Sequence, residues 1–519
     1  MLYIAFCKQK KGPPQKSCQM NVTSDTLNIT DFSCTARLAD PKNFQMLTTS
    51  HTKQRFRPIV ASVALTWALW LGSKWYFQDW FTDPFKYPAK AASLTAIVLM
   101  CWCIILSTRW RPLEDYFGGL DKVYQVHKRL GRWSFWIIIF HPLCLGADRL
   151  PDITAFFLDM GFRVPRGDPY LVGQNFGVAA FLLMAALIVL TLRQWLPYHI
   201  WKRTHEWFGL VLLFAIVHIV WVDADIAVYP LLKVWIYTLL GLAMSAFIYI
   251  RFLYRFYGPR YKYAVDHIER HGDILKLTFS PLGKEMDFRP SQFVYLVIHK
   301  SGLSPEPHPY SIACGYNLEG KFKLGIKQVG DHTRTLNRLE IGDPVTVYGP
   351  YGRLSDRFLD AERDCVLIGG GVGITPFIGM WHVALHSEER LDKKAVPDRL
   401  RTLHPEIIRT WKSPRVALFY VCHTQDQASF DGEIRREITS SHFHGFEALE
   451  DRGHHYELYL SSAKGLFSAG YAADRISSDI LGKNIFLCGP SPMVDALINQ
   501  FRTMGLPEEQ IVVEDFNLF

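Results

Sequence analysis

The chain divides sharply into an apolar part and a part in which apolar and polar positions alternate. Residues 58–254 are nearly continuous apolar stretches, whereas 260–519 have the composition of a water-soluble protein. Six stretches reach the length that a helix needs to cross a bilayer. They are 58–77, 90–108, 133–150, 171–192, 207–224 and 231–252. The pattern predicts a multidomain membrane protein whose residues 58–254 form a six-helix, all-α transmembrane bundle.

The loop charges predict an orientation. Lys and Arg concentrate before the first stretch, after the second, after the fourth and after the sixth, all on one side. Because cationic loops stay in the cytoplasm, we expect both termini there, with residues 1–57 as a cytoplasmic tail. The expected location is the plasma membrane. The formal net charge of +8 then reflects membrane topology, so no nucleic-acid partner is expected. The lipid bilayer is an expected partner, and the sequence leaves protein partners unknown.

Four histidines bracket two of the apolar stretches. His127 and His141 are 14 residues apart, and His205 and His218 are 13 apart. Histidine within a bilayer is expensive and usually functional, and imidazole is an axial ligand of haem iron. At about 1.5 Å per residue, each pair spans roughly 20 Å. One histidine from each stretch can therefore hold a haem near each membrane face.

The spacing of the second pair raises a difficulty. In a straight helix, 13 residues leave two side chains about 140° apart. We therefore expect either a local irregularity in the fifth stretch or two haems at different angles, with His199 as a competing partner for His218. Pro142 cannot donate its amide and predicts a kink in the third stretch.

Short alternating segments begin at Tyr261 and predict strands. The segments YKYAVDHIE, ILKLTFS, FVYLVIH, FKLGIKQV and PVTVYGPYG, separated by Gly and Pro turns, predict a small antiparallel β-barrel over 260–356. HPYSIA, at 308–313, lies between two of these strands, where an aromatic ring can flank a flavin. GDHT, at 330–333, can bring backbone amides to a pyrophosphate.

The last part, 362–519, alternates strands with helices. CVLIGGGVGITPFIGM, at 365–380, predicts a strand, a glycine turn and a helix, which is the arrangement that binds phosphates. VALFYVC, HYELYLS and NIFLCGP predict further strands of an α/β doubly wound parallel sheet, whose ligands bind at the carboxyl ends of the strands. The charged segment 386–414 is predicted to be a surface insertion.

HPYSIA, GGGVGITP and CGPSPM, in this order and behind four spaced histidines, resemble the ferric reductase / NADPH oxidase superfamily over about 58–519. The resemblance implies two b-type haems in the membrane, then a ferredoxin-reductase-like module that binds FAD and NAD(P)H. His127 with His205 would ligate the inner haem iron, and His141 with His218 the outer one.

The expected cofactor-binding residues fall into four groups. They are His308, Pro309, Tyr310, Ser311, Lys327 and Thr333; Gly370, Gly371, Gly373, Thr375 and Pro376; Ser461 and Ser462, with Lys464 near a 2′-phosphate; and Cys488, Gly489 and Pro490. Cys488 and a C-terminal aromatic, Phe516 or Phe519, are the expected catalytic residues. NADPH is favoured over NADH, although His423 and Thr424 stand where relatives that prefer NADPH often carry an arginine.

The resulting functional prediction is a transmembrane oxidoreductase. Electrons would pass from cytoplasmic NAD(P)H through FAD and two haems to an acceptor on the far side. A ferric chelate is favoured, because the predicted external loops carry five carboxylates, at Asp148, Asp152, Asp159, Asp223 and Asp225. Reduction of O2 to superoxide is one alternative, and a flavin reductase without haem that serves a quinone or a protein is another. The chain lacks the D-x-D-x-D-G pattern of an EF-hand, which argues against calcium gating through such a loop.

Overall fold

The computed structural model describes residues 56–78, 84–147, 149–159, 161–193, 196, 198–315, 320–360, 362–386, 414–443, 453–476 and 479–514. The predicted N-terminal tail and nearly all of the predicted insertion lie outside these residues. The chain separates into two compact units, with the division between Gly258 and Pro259.

The first unit is helical. Its helices are α1 (Arg57–Phe77), α2 (Lys86–Leu106), α3 (Arg111–Phe117), α4 (Leu120–Ala147), α5 (Ile153–Asp159), α6 (Pro169–Arg193), α7 (Tyr198–His205), α8 (Phe208–Val222), α9 (Ala224–Val228), α10 (Pro230–Ile248), continued by a π turn over Tyr249–Leu253, and α11 (Tyr254–Tyr257).

Five stretches in the described residues are helical, long and apolar enough to cross a membrane. They are Lys86–Leu106, Leu120–Ala147, Pro169–Leu192, Ile200–Val222 and Pro230–Tyr257. The first predicted span forms the helix α1, but this helix is not among the five that are long and apolar enough to cross a membrane. The sixth span therefore stays a prediction. Trp133 and Phe140 of α4 are among many large apolar side chains that point outward, as lipid-facing positions do.

Two of the spans differ from a simple apolar helix. Helix α4 begins at Leu120, well before the start predicted at 133. The hydropathy pattern missed its first half because that half is polar. The helix also continues through Pro142. In the fifth span, α7 ends at His205 and α8 begins at Phe208, with a turn over 206–207 between them. The predicted local irregularity in this span is therefore confirmed.

The second unit begins with an antiparallel sheet. Its strands are β1 (Arg260–His271), β2 (Ile274–Pro281), β3 (Phe293–Ile298), β4 (His308–Ser311), β5 (Phe322–Lys327) and β6 (Pro344–Tyr351), in the order β4-β3-β6-β1-β2-β5. A short helix, α12 (Asp331–Thr335), follows β5, and α13 (Asp356–Leu359) follows β6. β4 and β5 are the two edge strands of this sheet. An isolated bridge between Ile312, just after β4, and Leu324 of β5 brings these edges together. The predicted strands and their barrel-like antiparallel arrangement are confirmed.

The rest of the second unit is a parallel sheet with helices. It contains β7 (Cys365–Gly370), α14 (Thr375–His386), β8 (Val416–Cys422), α15 (Asp431–Phe443), β9 (His455–Leu460), α16 (Ser461–Lys464), α17 (Ala469–Arg475), β10 (Asn484–Cys488), α18 (Ser491–Thr503) and β11 (Ile511–Val513). The strand order is β11-β10-β7-β8-β9, with parallel pairing throughout. The predicted doubly wound sheet is confirmed, and β11 is a strand that the pattern did not predict.

A buried ion cluster joins the two sheets. Glu433 of α15 lies 2.5 Å from the ammonium of Lys276 on β2 and 3.2 Å from that of Lys323, which follows the first residue of β5. The side chain of Lys276 is only 6% exposed, and its ammonium lies over the ring of Phe430. Burial by itself would raise the pKa of Glu433, but Lys323 and Lys276 lower it overall. Glu433 therefore stays ionised and neutralises a lysine that has little contact with water.

This cluster predicts a large effect on stability. Glu433→Gln leaves the buried Lys276 without its carboxylate, and removal of one member of a buried pair costs about 3 kcal/mol or more. In the full-length protein we expect the melting temperature of the second unit, followed by calorimetry, to fall by about 6–12 °C.

Glu508→Gln is the matched control. Glu508 pairs with Arg502 at 2.8 Å, but its side chain is 77% exposed, so its loss changes stability by about 1 kcal/mol or less. Equal shifts for the two variants would contradict a special role for the Glu433 cluster.

Candidate cofactor sites

The four predicted histidines meet in two pairs within the helical unit. The ring centroids of His127 and His205 are 6.2 Å apart, and those of His141 and His218 are 6.3 Å apart. The first histidine of each pair comes from α4, and the second comes from the α7–α8 segment. The turn between α7 and α8 makes this pairing possible, because it changes the register between His205 and His218.

Helix α2 fixes the orientation of both α4 histidines. Nδ1 of His127 lies 2.8 Å from the carbonyl oxygen of Cys103, and Nδ1 of His141 lies 2.9 Å from that of Ala89. Cys103 and Ala89 are 14 residues apart, as His127 and His141 are, and α2 packs along the length of α4. If Nδ1 donates to each carbonyl, Nε2 keeps its lone pair and can bind a metal.

The other two histidines are held by α6. Nδ1 of His218 lies 3.0 Å from the carbonyl oxygen of Gly173, and Nδ1 of His205 lies 3.5 Å from the hydroxyl of Thr191. The hydroxyl of Thr191 donates its own hydrogen to the carbonyl of Leu187, so it is able to accept one from His205. The Nδ1 contact of His205 is therefore the longest of the four, and its partner is a hydroxyl instead of a backbone carbonyl.

A glycine opens the space that the His218 ring occupies. A Cβ atom at Gly177 would lie 2.5 Å from Nδ1 of His218 and 2.7 Å from Cε1. Gly177 is one helical turn beyond Gly173, whose carbonyl anchors this ring. Only a residue without a side chain lets the imidazole approach the backbone of α6 so closely.

The donor set fits haem iron. Two imidazole nitrogens about 2.0–2.1 Å from a shared metal bring their ring centres to about 6 Å, which is the separation in both pairs. Each Nδ1 has an oxygen partner, as metal-binding histidines usually do. In the described residues, no group of three or more His, Cys, Asp or Glu side chains is arranged for a metal ion. The two pairs therefore offer two axial ligands each, which is the ligand number that b-type haem requires of the protein.

Two aspartates near His141 and His218 were expected to be solvated, but they form ion pairs with lysines. Asp223 is paired with Lys90, and Asp225 accepts from Lys74 at 2.8 Å and from Trp70 at 3.2 Å. Burial by itself would raise the pKa of Asp225, but the lysines lower it overall. Asp223 and Asp225 are thus neutralised by lysines instead of being solvated, so they no longer support attraction of cationic iron. Asp152 caps α5 through the amide of Ala155, while Asp148 and the side chain of Asp159 lie outside the described residues.

The HPYS motif forms the edge strand β4. His308 pairs with Leu296, and Ser311 pairs with Phe293, on β3. The hydroxyl of Tyr310 is buried and has no hydrogen-bond partner among the described residues, and burial raises the pKa of Tyr310. A buried phenol without a partner usually serves a ligand or a water, so β4 suits a flavin that carries polar ribityl and phosphate groups.

Lys327 and Thr333, two further residues predicted to contact the flavin, bond to other groups of the protein. Lys327 ends β5 and forms an ion pair of 3.4 Å with Asp273. The hydroxyl of Thr333 caps the start of α12 by accepting from the amide of Gly330, and it also donates to the carbonyl of Gly330. Their roles in cofactor binding stay predictions.

The glycine turn after β7 meets the turn after β10. A Cβ at Gly373 would lie 2.6 Å from the carbonyl oxygen of Cys488, and a Cβ at Gly370 would lie 2.9 Å from Pro490. Gly371 has a φ of 56°, which favours glycine. The hydroxyl of Thr375, at the start of α14, donates to the carbonyl of Val372. The two motifs therefore form one surface at the carboxyl ends of adjacent strands, next to a helix N-terminus suited to phosphate. Gly489 and Pro376 belong to the same two turns.

The side chain of Cys488 is fully buried. Burial raises the pKa of its thiol well above the usual value, and Glu514 adds to this effect. Cys488 is therefore a neutral thiol at physiological pH. Glu514 follows β11 and is buried beside Cys488. Sequence reasoning missed it, although its position two residues before Phe516 in VEDF was a signal. Phe516 and Phe519 lie outside the described residues.

The ends of β8 and β9 also come together. Nδ1 of His423 lies 3.2 Å from the hydroxyl of Ser461, and the amide of Ser462 donates to the carbonyl of His423. The ammonium of Lys464 lies 2.8 Å from Glu457, which also faces Arg475 at 3.4 Å. The surface near the expected 2′-phosphate thus holds two cations and one carboxylate.

Comparisons with known proteins match both units. Residues 92–216, which include His127, His141 and His205, match the family model described as the ferric reductase like transmembrane component. The ferredoxin reductase component of 3-ketosteroid-9-alpha-monooxygenase from Rhodococcus rhodochrous is 23% identical over 263 residues, which is 48% of this chain and 63% of that protein. The probable electron transfer subunit of dihydroorotate dehydrogenase B (NAD(+)) from Pyrococcus abyssi is 33% identical over 97 residues, 19% of this chain and 34% of that protein.

The combination of a ferric-reductase-like membrane component with homologues of ferredoxin-reductase-like modules matches the fused architecture of the ferric reductase / NADPH oxidase superfamily. The five long apolar helices and the match to the transmembrane component indicate an integral membrane protein. The chain spans less than two thirds of the length of these curated relatives. Among solved structures, the FAD/NAD-binding domain of nitric oxide dioxygenase from Vibrio cholerae O1 biovar El Tor matches with a TM-score of 0.37 and 19% identity, over 50% of this chain and 99% of that one.

Gly177→Ala tests the histidine geometry of the helical unit. The added methyl would meet the His218 ring at 2.5 Å, so we expect the ring to turn away and the outer haem to be lost. Haem content per protein, measured as the pyridine haemochrome, should fall to about half. Gly241→Ala on α10 is the matched control, because nothing lies within 4 Å of its added Cβ. Full haem content in Gly177→Ala would contradict ligation by His218.

Gly373→Ala tests the joined nucleotide turns. The methyl would lie 2.6 Å from a backbone oxygen, so the two turns must separate. We expect the KM for NADPH to rise at least about tenfold while bound FAD is retained. Gly482→Ala, in the same unit and with open space around its Cβ, should behave like the unaltered protein. An unchanged KM in Gly373→Ala would show that the contact is dispensable.

Proposed function

We propose that this protein is a transmembrane flavocytochrome with two b-type haems. The observation that carries the proposal is the meeting of His127 with His205 and of His141 with His218, each at a ring separation that suits one shared metal. A structural role for the histidines would require neither this separation nor the contacts that anchor each imidazole through its Nδ1 atom.

The residues of the chain would bind and orient the cofactors. When bound, FAD accepts a hydride and releases electrons singly, and haem iron carries one electron at a time. The strand β4, with Tyr310 and Ser311, would hold the flavin, while the turns around Gly373 and Cys488 would hold the nicotinamide nucleotide. Fixed backbone carbonyls would keep three of the four imidazoles in place.

We propose NADPH as the electron donor. Lys464 and Arg475 share one carboxylate, Glu457, so the surface beside Ser461 and Ser462 keeps a positive excess. Such an excess favours a 2′-phosphate over a hydroxyl. NADH carries a 2′-hydroxyl and no 2′-phosphate, so this positive charge would not strengthen its binding. NADH as the donor stays the alternative.

A ferric chelate on the far side of the membrane is the proposed acceptor. The match to the ferric reductase like transmembrane component favours it, whereas the pairing of Asp223 and Asp225 with lysines removes the argument from external carboxylates. Reduction of O2 to superoxide is the alternative. The proposed orientation keeps both termini in the cytoplasm, with α1 as a sixth span in the plasma membrane.

His141→Ala tests the haem path. Without this ligand we expect about one haem per protein instead of two, unchanged FAD, and NADPH-driven reduction of Fe(III)–citrate at least about 100-fold slower. Reduction of ferricyanide by the flavin should persist. His299→Ala is the control, because His299 is exposed and bonds Thr346 in the second unit. Unchanged Fe(III) reduction in His141→Ala would favour the flavin reductase without haem.

The acceptor is decided with the unaltered, purified protein. We expect Fe(III)–citrate reduction by NADPH under anaerobic conditions, unaffected by superoxide dismutase. If iron is reduced only in the presence of oxygen, and dismutase abolishes cytochrome c reduction, the protein is an oxidase and the proposed acceptor is wrong.

A further inference from the structure

His308 and His332 come from separate motifs and stack face to face. His308 opens β4, and His332 lies on α12, 24 residues further along the chain. Their ring centroids are 3.6 Å apart, and their planes are inclined by 19°. The contact joins HPYS to GDHT, the two segments for which the sequence predicts flavin contacts. It is a contact between side chains, whereas the sequence suggested only backbone amides for GDHT.

The contact between the two rings disfavours a positive charge on both of them. Burial lowers the pKa of His332, and Glu306 opposes this effect. Two positive rings at such a separation would repel strongly, so at most one of them is protonated. At this separation the two ring faces are in van der Waals contact, so each ring limits the positions that the other can take.

The backbone that carries His332 is fixed. The Thr333 side chain bonds both the amide and the carbonyl of Gly330 at 3.0 Å, which ties the first turn of α12. Nδ1 of His332 is buried without a hydrogen-bond partner among the described residues. His308 itself is buried on the edge strand. A ring presented from a tied turn restricts the rotation of the ring on which it stacks.

We propose that His332 is a positioning residue for FAD, which holds the imidazole of His308 by stacking in the orientation that the flavin site requires. The proposal rests on the flavin-binding role of β4. It assigns a function to a side chain that neither the motif pattern nor the family match singles out.

The test compares three variants of the full-length protein. FAD is removed, and its rebinding is followed by quenching of flavin fluorescence and by the absorbance spectrum of the bound flavin. We expect His332→Ala to raise the Kd for FAD about three- to tenfold and to shift the spectrum, because the stacking contact is lost. His332→Phe keeps a flat ring and should restore the Kd to within about twofold. His299→Ala, an exposed histidine bonded to Thr346 in the same sheet, should bind FAD like the unaltered protein.

Each other outcome has a definite reading. Equal weakening by Ala and Phe would overturn stacking as the cause, and an unchanged Kd and spectrum in His332→Ala would overturn the positioning role. If His332→Ala does not fold, the Phe variant still decides, since stacking predicts nearly full binding. Failure of the unaltered protein to bind FAD would instead overturn the proposed function itself.

Discussion

The helical unit depends on hydrogen bonds from histidine Nδ1 atoms to backbone carbonyls of neighbouring helices. A carbonyl in a helix already accepts one amide, but its oxygen has a second lone pair that a side chain can use. Helices α2 and α4 exploit this twice, because Cys103 and Ala89 have the same spacing as His127 and His141. One helix contact therefore orients two rings about 21 Å apart along α4. A shift of one residue between these helices would misplace both rings together.

The histidines of the α7–α8 segment are oriented by other contacts than those of α4. His205 and His218 cannot share a face of a straight helix, and the turn between α7 and α8 corrects this. His218 then needs Gly177, because a side chain there would exclude its ring. His205 relies on the hydroxyl of Thr191 at 3.5 Å. The inner pair thus has one firmly held and one loosely held ring, whereas both rings of the outer pair are anchored to carbonyls.

Periodicity predicted the elements better than it predicted their contacts. Apart from β4, which forms where the pattern placed HPYSIA between two strands, the strands from β1 to β10 follow the apolar segments closely, because apolar residues that alternate or run together mark buried strands. The strand β11 has three residues and no turn signal, and Glu514 was missed with it. The polar start of α4 hid the true beginning of that helix, since hydropathy reports on lipid contact and not on helix formation. The histidine pairs were predictable because their spacing is unusual for residues that are costly in a membrane.

Charge is where the sequence misled most, for a physical reason. A carboxylate in a loop is usually solvated, but Asp223 and Asp225 lie against Lys90 and Lys74, which come from two other helices. No local pattern reveals a partner more than 130 residues away. The pairing joins α1, α2 and the α8–α10 connection, and it leaves two cations against two anions near the outer histidines. Long-range attraction by these residues is therefore small for an acceptor of either sign, and selectivity must come from contacts made at the proposed outer haem site itself.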